Sequence, residues 1–224
     1  MTPASEALGP PAWRASLGRP VGISIFRTVY RGRARHAELV PRRGPVILVA
    51  NHVSYLDGPL VYSLCPRPTS FLVKQEAFSG PVGWVARAVG QIPIDRSVGD
   101  RLALATAVSV LERGGVLGVF PQGTRRDGEV GEVNPGAAWI ALRSGAPIVP
   151  VAILGTRVEG GPYGDWPRPR SILTVDFGEP FQLDVDPAVT GRERLRRASE
   201  QLRDVLAAHV RGARVGEWPV NPAP

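Results

Sequence analysis

Three short apolar runs most constrain the fold of this 224-residue chain. They are Val46–Ala50, residues 116–120 and Ile148–Leu154, and polar or glycine-bearing segments bound each of them. Runs of this length with apolar residues at nearly every position are typical of strands buried on both faces of a sheet. Both faces of such a sheet must be covered, and helices are the usual cover.

Helical patterns separate these runs along the chain. We expect helices over residues 57–64, 80–89, 99–113, 136–144 and 191–210, and further strands over residues 69–73, 92–94 and 171–177. Within residues 99–113, for example, apolar side chains recur at helical spacing, and Gly114 and Gly115 end the pattern. This alternation predicts an α/β fold: a mixed, mostly parallel sheet covered by helices on both faces.

The domain organisation is expected to be simple. Residues 1–20 and 214–224 are rich in proline, glycine and alanine and are predicted to be flexible ends, whereas residues 21–213 form one domain. The single cysteine, Cys65, excludes a disulfide framework. With three histidines and one cysteine, no metal site is expected.

The charge indicates an anionic partner. The chain has 27 basic and 20 acidic residues for a net charge of +7, and all the basic residues except Lys74 are arginine. Nucleic acid, an anionic membrane or a phosphorylated substrate would fit this charge, and a GC-rich genome would also favour arginine. The arginines are scattered rather than interleaved with aromatic residues, so no nucleic-acid partner is expected.

Residues 21–30 are predicted to form an amphipathic helix, and several arginines follow it up to Arg43. No run of about 18 apolar residues occurs, so a membrane-spanning helix is not expected. A basic amphipathic helix can instead lie in a membrane interface. Packing against the core with a solvated basic edge is the alternative.

A polar cluster follows the first apolar run directly. It reads Asn51-His-Val-Ser-Tyr-Leu-Asp57, and its H-x-x-x-x-D spacing allows a turn into a helix to bring Asp57 back to His52. The carboxylate would then orient the imidazole and leave its other nitrogen as a general base. Alternatively, Asp57 is a helix N-cap and His52 a satisfied buried histidine. Ser54 is disfavoured as a nucleophile because the chain has no G-x-S-x-G motif.

Two further strand ends carry arginine. One segment is Gly90-Gln-Ile-Pro-Ile-Asp-Arg96, and the other is Phe120-Pro-Gln-Gly-Thr-Arg125. Guanidinium groups suit phosphate, so two such ends in one sheet could converge on the same anion. The alternatives are a surface ion pair and an ordinary exposed turn. The chain has no Walker-type loop, no G-x-G-x-x-G and no H-E-x-x-H.

Taken in order with Ile148-Val-Pro-Val-Ala-Ile153, these segments resemble the 1-acylglycerol-3-phosphate acyltransferase family, the PlsC-type glycerolipid acyltransferases. The resemblance covers residues 40–180 and implies a glycerolipid acyltransferase-like fold. It implies transfer of an acyl chain from acyl-CoA or acyl-carrier protein to the free hydroxyl of 1-acylglycerol 3-phosphate, with these donors as co-substrates and no cofactor. The product would be phosphatidic acid.

The resemblance also implies roles for individual residues. His52 and Asp57 are the implied catalytic pair, and the acceptor-binding positions are Arg96, Gln122, Gly123, Thr124 and Arg125. Asn51, Ser54 and Pro150 would have structural or acyl-donor roles. The partners implied are a membrane lipid substrate, an anionic membrane surface and acyl-carrier protein. The expected location is the cytoplasmic face of the cell membrane, held peripherally or monotopically.

Two departures from the family pattern affect the acceptor. Gln122 stands where the family usually has Glu, and Asn134 stands where Lys is common. Both leave the His52–Asp57 pair intact, so activity is expected. Transfer to another lysophospholipid or to an amino-acid lipid is the main alternative, and a non-catalytic lipid-binding protein on the same fold is a second.

Overall fold

The protein is built on one seven-stranded sheet with the strand order β1-β7-β6-β2-β5-β3-β4. The structure, a computed structural model, describes residues 9–95, 100–122, 131, 133–158, 165–186 and 188–215. The strands are β1 Arg31–Arg35, β2 Val46–Ala50, β3 Thr69–Lys74, β4 Ile92–Ile94, β5 Val116–Val119, β6 Ile148–Leu154 and β7 Ile172–Phe177. All neighbours pair in parallel except β6 and β7, so the predicted mixed, mostly parallel sheet is confirmed.

Helices cover both faces of the sheet, as predicted. They are α1 Arg14–Leu17, α2 Arg19–Thr28, α3 Asp57–Leu64, α4 Gly80–Ala88, α5 Arg101–Glu112, α6 Pro135–Ser144 and α7 Gly191–Val215. Short 3₁₀ helices occupy residues 37–39 and 75–78. Buried side chains of α2 and α3 join one core layer, and those of α5, α6 and α7 join the layer on the opposite face.

The three apolar runs form the centre of the sheet. In β2 every residue is buried, and β2 pairs in parallel with β5 on one side and with β6 on the other. The carboxyl ends of these three strands therefore lie at the same edge of the sheet. In parallel α/β sheets this edge is where ligands usually bind.

Strand β1 was not predicted. Its sequence, Arg-Gly-Arg-Ala-Arg, has no apolar alternation, and pairing with β7 along one edge makes it a strand. Gly32 permits this placement, because a Cβ there would lie 2.9 Å from the carbonyl oxygen of Phe26 in α2. Arg31, Arg33 and Arg35, which follow the predicted amphipathic helix, thus lie in an edge strand of the sheet.

The ends of the chain differ from the predicted boundaries. Residues 1–20 were expected to be a flexible end, yet they include α1, in which Ala15 is buried, and the Gly18 N–H donates to the Tyr62 hydroxyl at 3.1 Å. At the other end α7 extends to Val215, and residues 216–224 of the predicted tail lie outside the described residues. Within the described part of the chain, no helix has the length and apolarity needed to cross a membrane.

A glycine in the middle of β5 makes room for an aromatic stack. A Cβ on Gly118 would lie 2.2 Å from Cε1 of Phe71, so only glycine fits without moving that ring. The Phe71 ring stacks on Phe120 with centroids 5.3 Å apart. The centre of β5 and Phe120, the first residue after it, are therefore packed together through Phe71.

We predict that Gly118→Ala lowers the free energy of unfolding by about 1–3 kcal/mol, because overpacking forces Phe71 from its place. Urea denaturation measures this change. Gly212→Ala is the matched control, because a Cβ there meets nothing within 4 Å and replaces glycine inside α7. The control should be neutral or stabilising by up to about 1 kcal/mol. Equal effects of the two substitutions would contradict the packing argument.

Candidate active site

A histidine and an aspartate meet at the carboxyl end of β2. His52 lies two residues beyond the strand, and Asp57 is the first residue of α3. The turn between them brings Nδ1 of His52 to 2.8 Å from Oδ2 of Asp57. The His52 side chain is 13% exposed, whereas Asp57 is completely buried. The sequence allowed either a His52–Asp57 pair or a helix N-cap with a separate buried histidine. The structure shows the pair.

Four donors surround the buried carboxylate of Asp57. Its Oδ2 accepts the His52 Nδ1–H and the backbone N–H groups of Val53 and Ser54, at 2.6 and 2.8 Å. Its Oδ1 accepts the hydroxyl of Thr156 at 2.6 Å. A buried carboxylate is tolerated only when hydrogen bonds replace its hydration, and these four bonds supply them.

This donor set assigns the His52 tautomer. Because the Asp57 oxygen already accepts two backbone N–H groups, Nδ1 is the donor in this pair, and in the neutral imidazole Nε2 then holds the free electron pair. The imidazole stacks on Phe120 with ring centroids 4.2 Å apart and an interplanar angle of 20°. The ring is thus held by a hydrogen bond at one edge and an aromatic face on one side. Such a ring is oriented for proton transfer at Nε2.

Asn51 and Ser54 shape the backbone around this pair. The Asn51 side chain takes the place of a strand neighbour: its Oδ1 accepts the Ile153 N–H at 2.7 Å, and its Nδ2 donates to the Ile153 carbonyl at 3.1 Å. The Ser54 hydroxyl accepts the Leu56 N–H at 3.3 Å. Asn51 therefore ties the end of β2 to β6 just before His52, and Ser54 supports the turn that leads to Asp57.

Pro150 lies apart from the catalytic pair. It is within β6, opposite Val49 of β2, and its carbonyl accepts the Gly178 N–H at 2.8 Å. A Cβ on Gly178 would lie 2.8 Å from Cγ of Pro150 and 2.8 Å from Nδ1 of His209 in α7. The Pro150 ring thus packs towards α7, and its contacts are structural.

The predicted acceptor-binding residues fall mostly outside the described residues. Arg96, Gly123, Thr124 and Arg125 belong to this set, and Gln122 is the last described residue after β5. Asp100 brings together the two ends that flank Arg96: its carboxylate accepts the N–H groups of Asp95 and Ala103, at 3.0 and 2.9 Å.

Asn134 has a structural task in the chain. Its side chain caps α6 by accepting the Gly136 N–H at 3.0 Å, and its own N–H donates to the Pro121 carbonyl at 2.7 Å. This bond joins the two ends of the segment that carries Arg125. An asparagine at this position is therefore explained by helix capping.

An apolar cleft adjoins the pair through Phe120. It is lined by Leu72, Ile94, Leu104, Val119, Phe120, Pro121, Asn134, Gly136 and Ala137. Phe120 faces His52 with its ring and also lines this cleft. The His52 imidazole and an apolar surface are therefore neighbours. Among the residues that the structure describes, no three His, Cys, Asp or Glu side chains gather in a metal-binding arrangement.

Sequence reasoning missed Thr156 and the role of Phe120. Thr156 is completely buried and lies 99 residues from the carboxylate to which it donates. Thr156 could have been predicted from its position two residues after β6, because polar residues just beyond parallel strands often contribute to the site at that edge. Phe120 is the first residue after β5, at the same edge of the sheet.

Several proteins named as lipid acyltransferases are similar to this chain. A lyso-ornithine lipid O-acyltransferase of Pseudomonas aeruginosa is 40% identical over 50% of the chain and 43% of its own length. A chloroplastic 1-acyl-sn-glycerol-3-phosphate acyltransferase of Brassica napus is 35% identical over 60% of the chain and 40% of its own length. The chain thus spans less than half of these two relatives. A 1-acyl-sn-glycerol-3-phosphate acyltransferase of Bacillus subtilis is 25% identical over 74% of the chain and 81% of its own length.

The fold has a solved counterpart. The crystal structure of the 1-acyl-sn-glycerophosphate acyltransferase PlsC from Thermotoga maritima aligns with a TM-score of 0.67 and 26% identity, over 92% of this chain and 80% of that one. The family model described as Acyltransferase matches residues 32–154, which include β2, the His52–Asp57 pair and most of the sheet. The predicted family is confirmed on both grounds: this chain belongs to the acyltransferase family.

Proposed function

We propose that this protein is an O-acyltransferase that transfers an acyl chain to the free hydroxyl of 1-acylglycerol 3-phosphate and yields phosphatidic acid. The observation that carries the proposal is the His52–Asp57 pair, with Nδ1 of the imidazole 2.8 Å from a completely buried carboxylate. Relatives named 1-acyl-sn-glycerol-3-phosphate acyltransferases support the acceptor class. The donor is acyl-CoA or acyl-carrier protein, and no further cofactor is required.

In the proposed reaction His52 carries the transferred proton. Nε2 of His52 accepts the proton of the acceptor hydroxyl while that oxygen attacks the thioester carbonyl carbon. Asp57 stabilises the imidazolium through the hydrogen bond at Nδ1. The tetrahedral intermediate then collapses, the carbon–sulfur bond breaks, and the leaving thiolate takes the proton from Nε2. No acyl-enzyme forms, because the acceptor oxygen itself is the nucleophile.

The acceptor headgroup is proposed to bind at the ends of β4 and β5. Arg96 follows β4, and Gly123, Thr124 and Arg125 follow β5, next to Gln122. Guanidinium groups bind phosphate through paired hydrogen bonds, so Arg96 and Arg125 are the proposed phosphate ligands. Gln122 can form hydrogen bonds but carries no charge. It would therefore repel a phosphate less than the glutamate that the family usually has at this position.

A lyso-ornithine lipid is the second candidate acceptor. Two relatives are named lyso-ornithine lipid O-acyltransferases, the one from Pseudomonas aeruginosa and one from Rhizobium meliloti that is 28% identical over 84% of this chain. Both candidate acceptors offer one free hydroxyl on an acylated scaffold, so the chemistry at His52 is the same. Their headgroups differ, and binding at the ends of β4 and β5 would discriminate them.

The lipid acceptor implies attachment to a membrane surface, and we propose that α1 and α2 provide it. Large apolar side chains recur at every fourth position on their exposed side, at Trp13, Leu17, Val21, Ile25 and Val29, each 42–63% exposed. Arg14 and Arg27 lie in the same two helices, whereas Arg19 of α2 turns inward and donates to the Cys65 carbonyl. An apolar stripe with cations beside it is suited to an anionic bilayer. The proposed location is peripheral, on the cytoplasmic face of the cell membrane.

We predict that His52→Ala lowers the acylation rate by a factor of about 10²–10⁴, because it removes the general base. The assay is a panel that combines acyl-CoA and acyl-carrier protein donors with lysophosphatidate and lyso-ornithine lipid acceptors. Circular dichroism of the variant controls for folding. Full activity of His52→Ala would contradict the role of His52 as general base. No activity of the wild type with any pair would contradict the proposed reaction and favour a non-catalytic lipid-binding protein.

We predict that Thr156→Val lowers both activity and stability, because it leaves Oδ1 of the buried Asp57 without its donor. The expected loss in unfolding free energy is about 1–3 kcal/mol. Thr156→Ser keeps the hydroxyl and is the matched control, which should restore activity. Steady-state kinetics and urea denaturation measure the two effects. If serine and valine behave alike, the Asp57–Thr156 hydrogen bond does not matter for the site.

We predict that the double variant Val21→Ser, Ile25→Ser partitions about tenfold more weakly onto vesicles containing phosphatidylglycerol, because it removes two apolar side chains from the interface. Vesicle co-sedimentation measures the partition. These substitutions leave β1 and the buried Phe26 in place. Leu102→Ser is the control, since Leu102 is 66% exposed on α5, on the opposite face of the sheet. Undiminished binding of the double variant would place the membrane contact elsewhere.

A further inference from the structure

Helix α4 exposes an apolar surface that the acyl-transfer chemistry does not use. Val82 is 73% exposed, Trp84 72% and Val85 51%. The buried residue of α4 is Gly83, where a Cβ would lie 2.1 Å from the backbone of Phe78. Arg87 adds a bond to the Phe78 carbonyl at 2.7 Å. The large side chains of α4 therefore point away from the core.

Helix α1 packs beside the end of α4. A Cβ on Gly18 would lie 2.9 Å from Cγ1 of Val89, and a Cβ on Gly90 would lie 3.2 Å from the backbone nitrogen of Ala15. Val89 and Gly90 follow α4 directly. The carboxyl end of α4 thus lies beside α1, which carries the exposed Leu17.

The exposed apolar residues are concentrated in these three helices and their ends. Of thirteen exposed large apolar side chains in the described part of the chain, eight lie within residues 13–29 and 82–85. Isolated exposed apolar side chains are normal on soluble proteins, whereas a concentration of them marks an interaction surface.

The charge of this surface indicates its partner. Residues 13–29 and 79–90 contain four arginines and no aspartate or glutamate. One of them, Arg19, turns inward and donates to the Cys65 carbonyl, which leaves Arg14, Arg27 and Arg87 for the surface. In α7, by contrast, arginines pair with carboxylates, as Arg196 does with Glu193 and Glu200. A surface with exposed tryptophan and valine and only positive charge complements an anionic lipid bilayer.

We infer that α4 is a second membrane-docking element and that Val82, Trp84 and Val85 insert into the same bilayer as the stripe of α1 and α2. The inference rests on the membrane attachment in the proposed function and extends it to a helix outside the predicted amphipathic segment. Docking through one helix axis would leave the domain free to rotate about that axis on the bilayer. A second docking element away from the axis would hold the domain in one orientation. Helix α4 connects β3 to β4, and Arg96 follows β4 in the chain. Docking of α4 would therefore hold this edge of the sheet close to the bilayer.

The test is the double variant Val82→Ser, Trp84→Ser on the full chain. We expect its partition onto phosphatidylcholine vesicles containing phosphatidylglycerol to fall about tenfold, since two large apolar side chains no longer enter the lipid. Partition of the wild type should also weaken on vesicles of phosphatidylcholine alone. The matched control is Trp166→Ser, because Trp166 is 64% exposed but lies outside these helices. The control should bind as the wild type does.

A second readout separates this inference from the proposed function. With lysophosphatidate dispersed in detergent, the double variant should keep the wild-type rate, and with the acceptor in vesicles its rate should fall together with its partition. Unchanged vesicle binding of the double variant would overturn the role of α4. A wild-type dimer that the variant converts to a monomer would also overturn it and assign the surface to a second copy of the chain.

Discussion

The buried carboxylate of Asp57 is the group on which the site depends. A completely buried charge needs hydrogen bonds on both oxygens, and here they come from two parts of the chain: the turn of His52, Val53 and Ser54 after β2, and Thr156 beyond β6. Satisfying the carboxylate therefore orders the loop after β2, the start of α3 and the end of β6 at once. The tautomer and direction of the imidazole follow from that order.

The sheet supplies the rigidity behind this arrangement. Asn51 joins β2 to β6 through two hydrogen bonds to Ile153, and Phe71, Phe120 and His52 form a stack whose inner end rests on Gly118 of β5. Catalytic groups mounted on strand ends are positioned more accurately than groups on long loops. The same stack brings the apolar cleft next to the imidazole, an arrangement that suits the acyl transfer proposed above.

Much of the architecture was predictable from local patterns. The predicted helix of residues 57–64 and the strands of residues 92–94 and 148–154 have the observed bounds, because apolar runs, glycine stops and polar turns lie within the elements themselves. The misses have a common cause. Strand β1 exists through its pairing with β7, and α1 is held by contacts to Tyr62 and Gly90, so their signals lie far away in the sequence.

By itself the sequence determined the α/β class, the order of the family motifs and the spacing that lets His52 meet Asp57, since each depends on residues close together in the chain. Only the tertiary structure decided that Thr156 completes the carboxylate's shell from 99 residues away, that Pro150 packs towards α7, and that the apolar residues of α4 remain exposed beside α1. Strand order and helix packing determine these contacts. Both depend on which surfaces are buried over the whole chain, and a local sequence pattern does not contain that information.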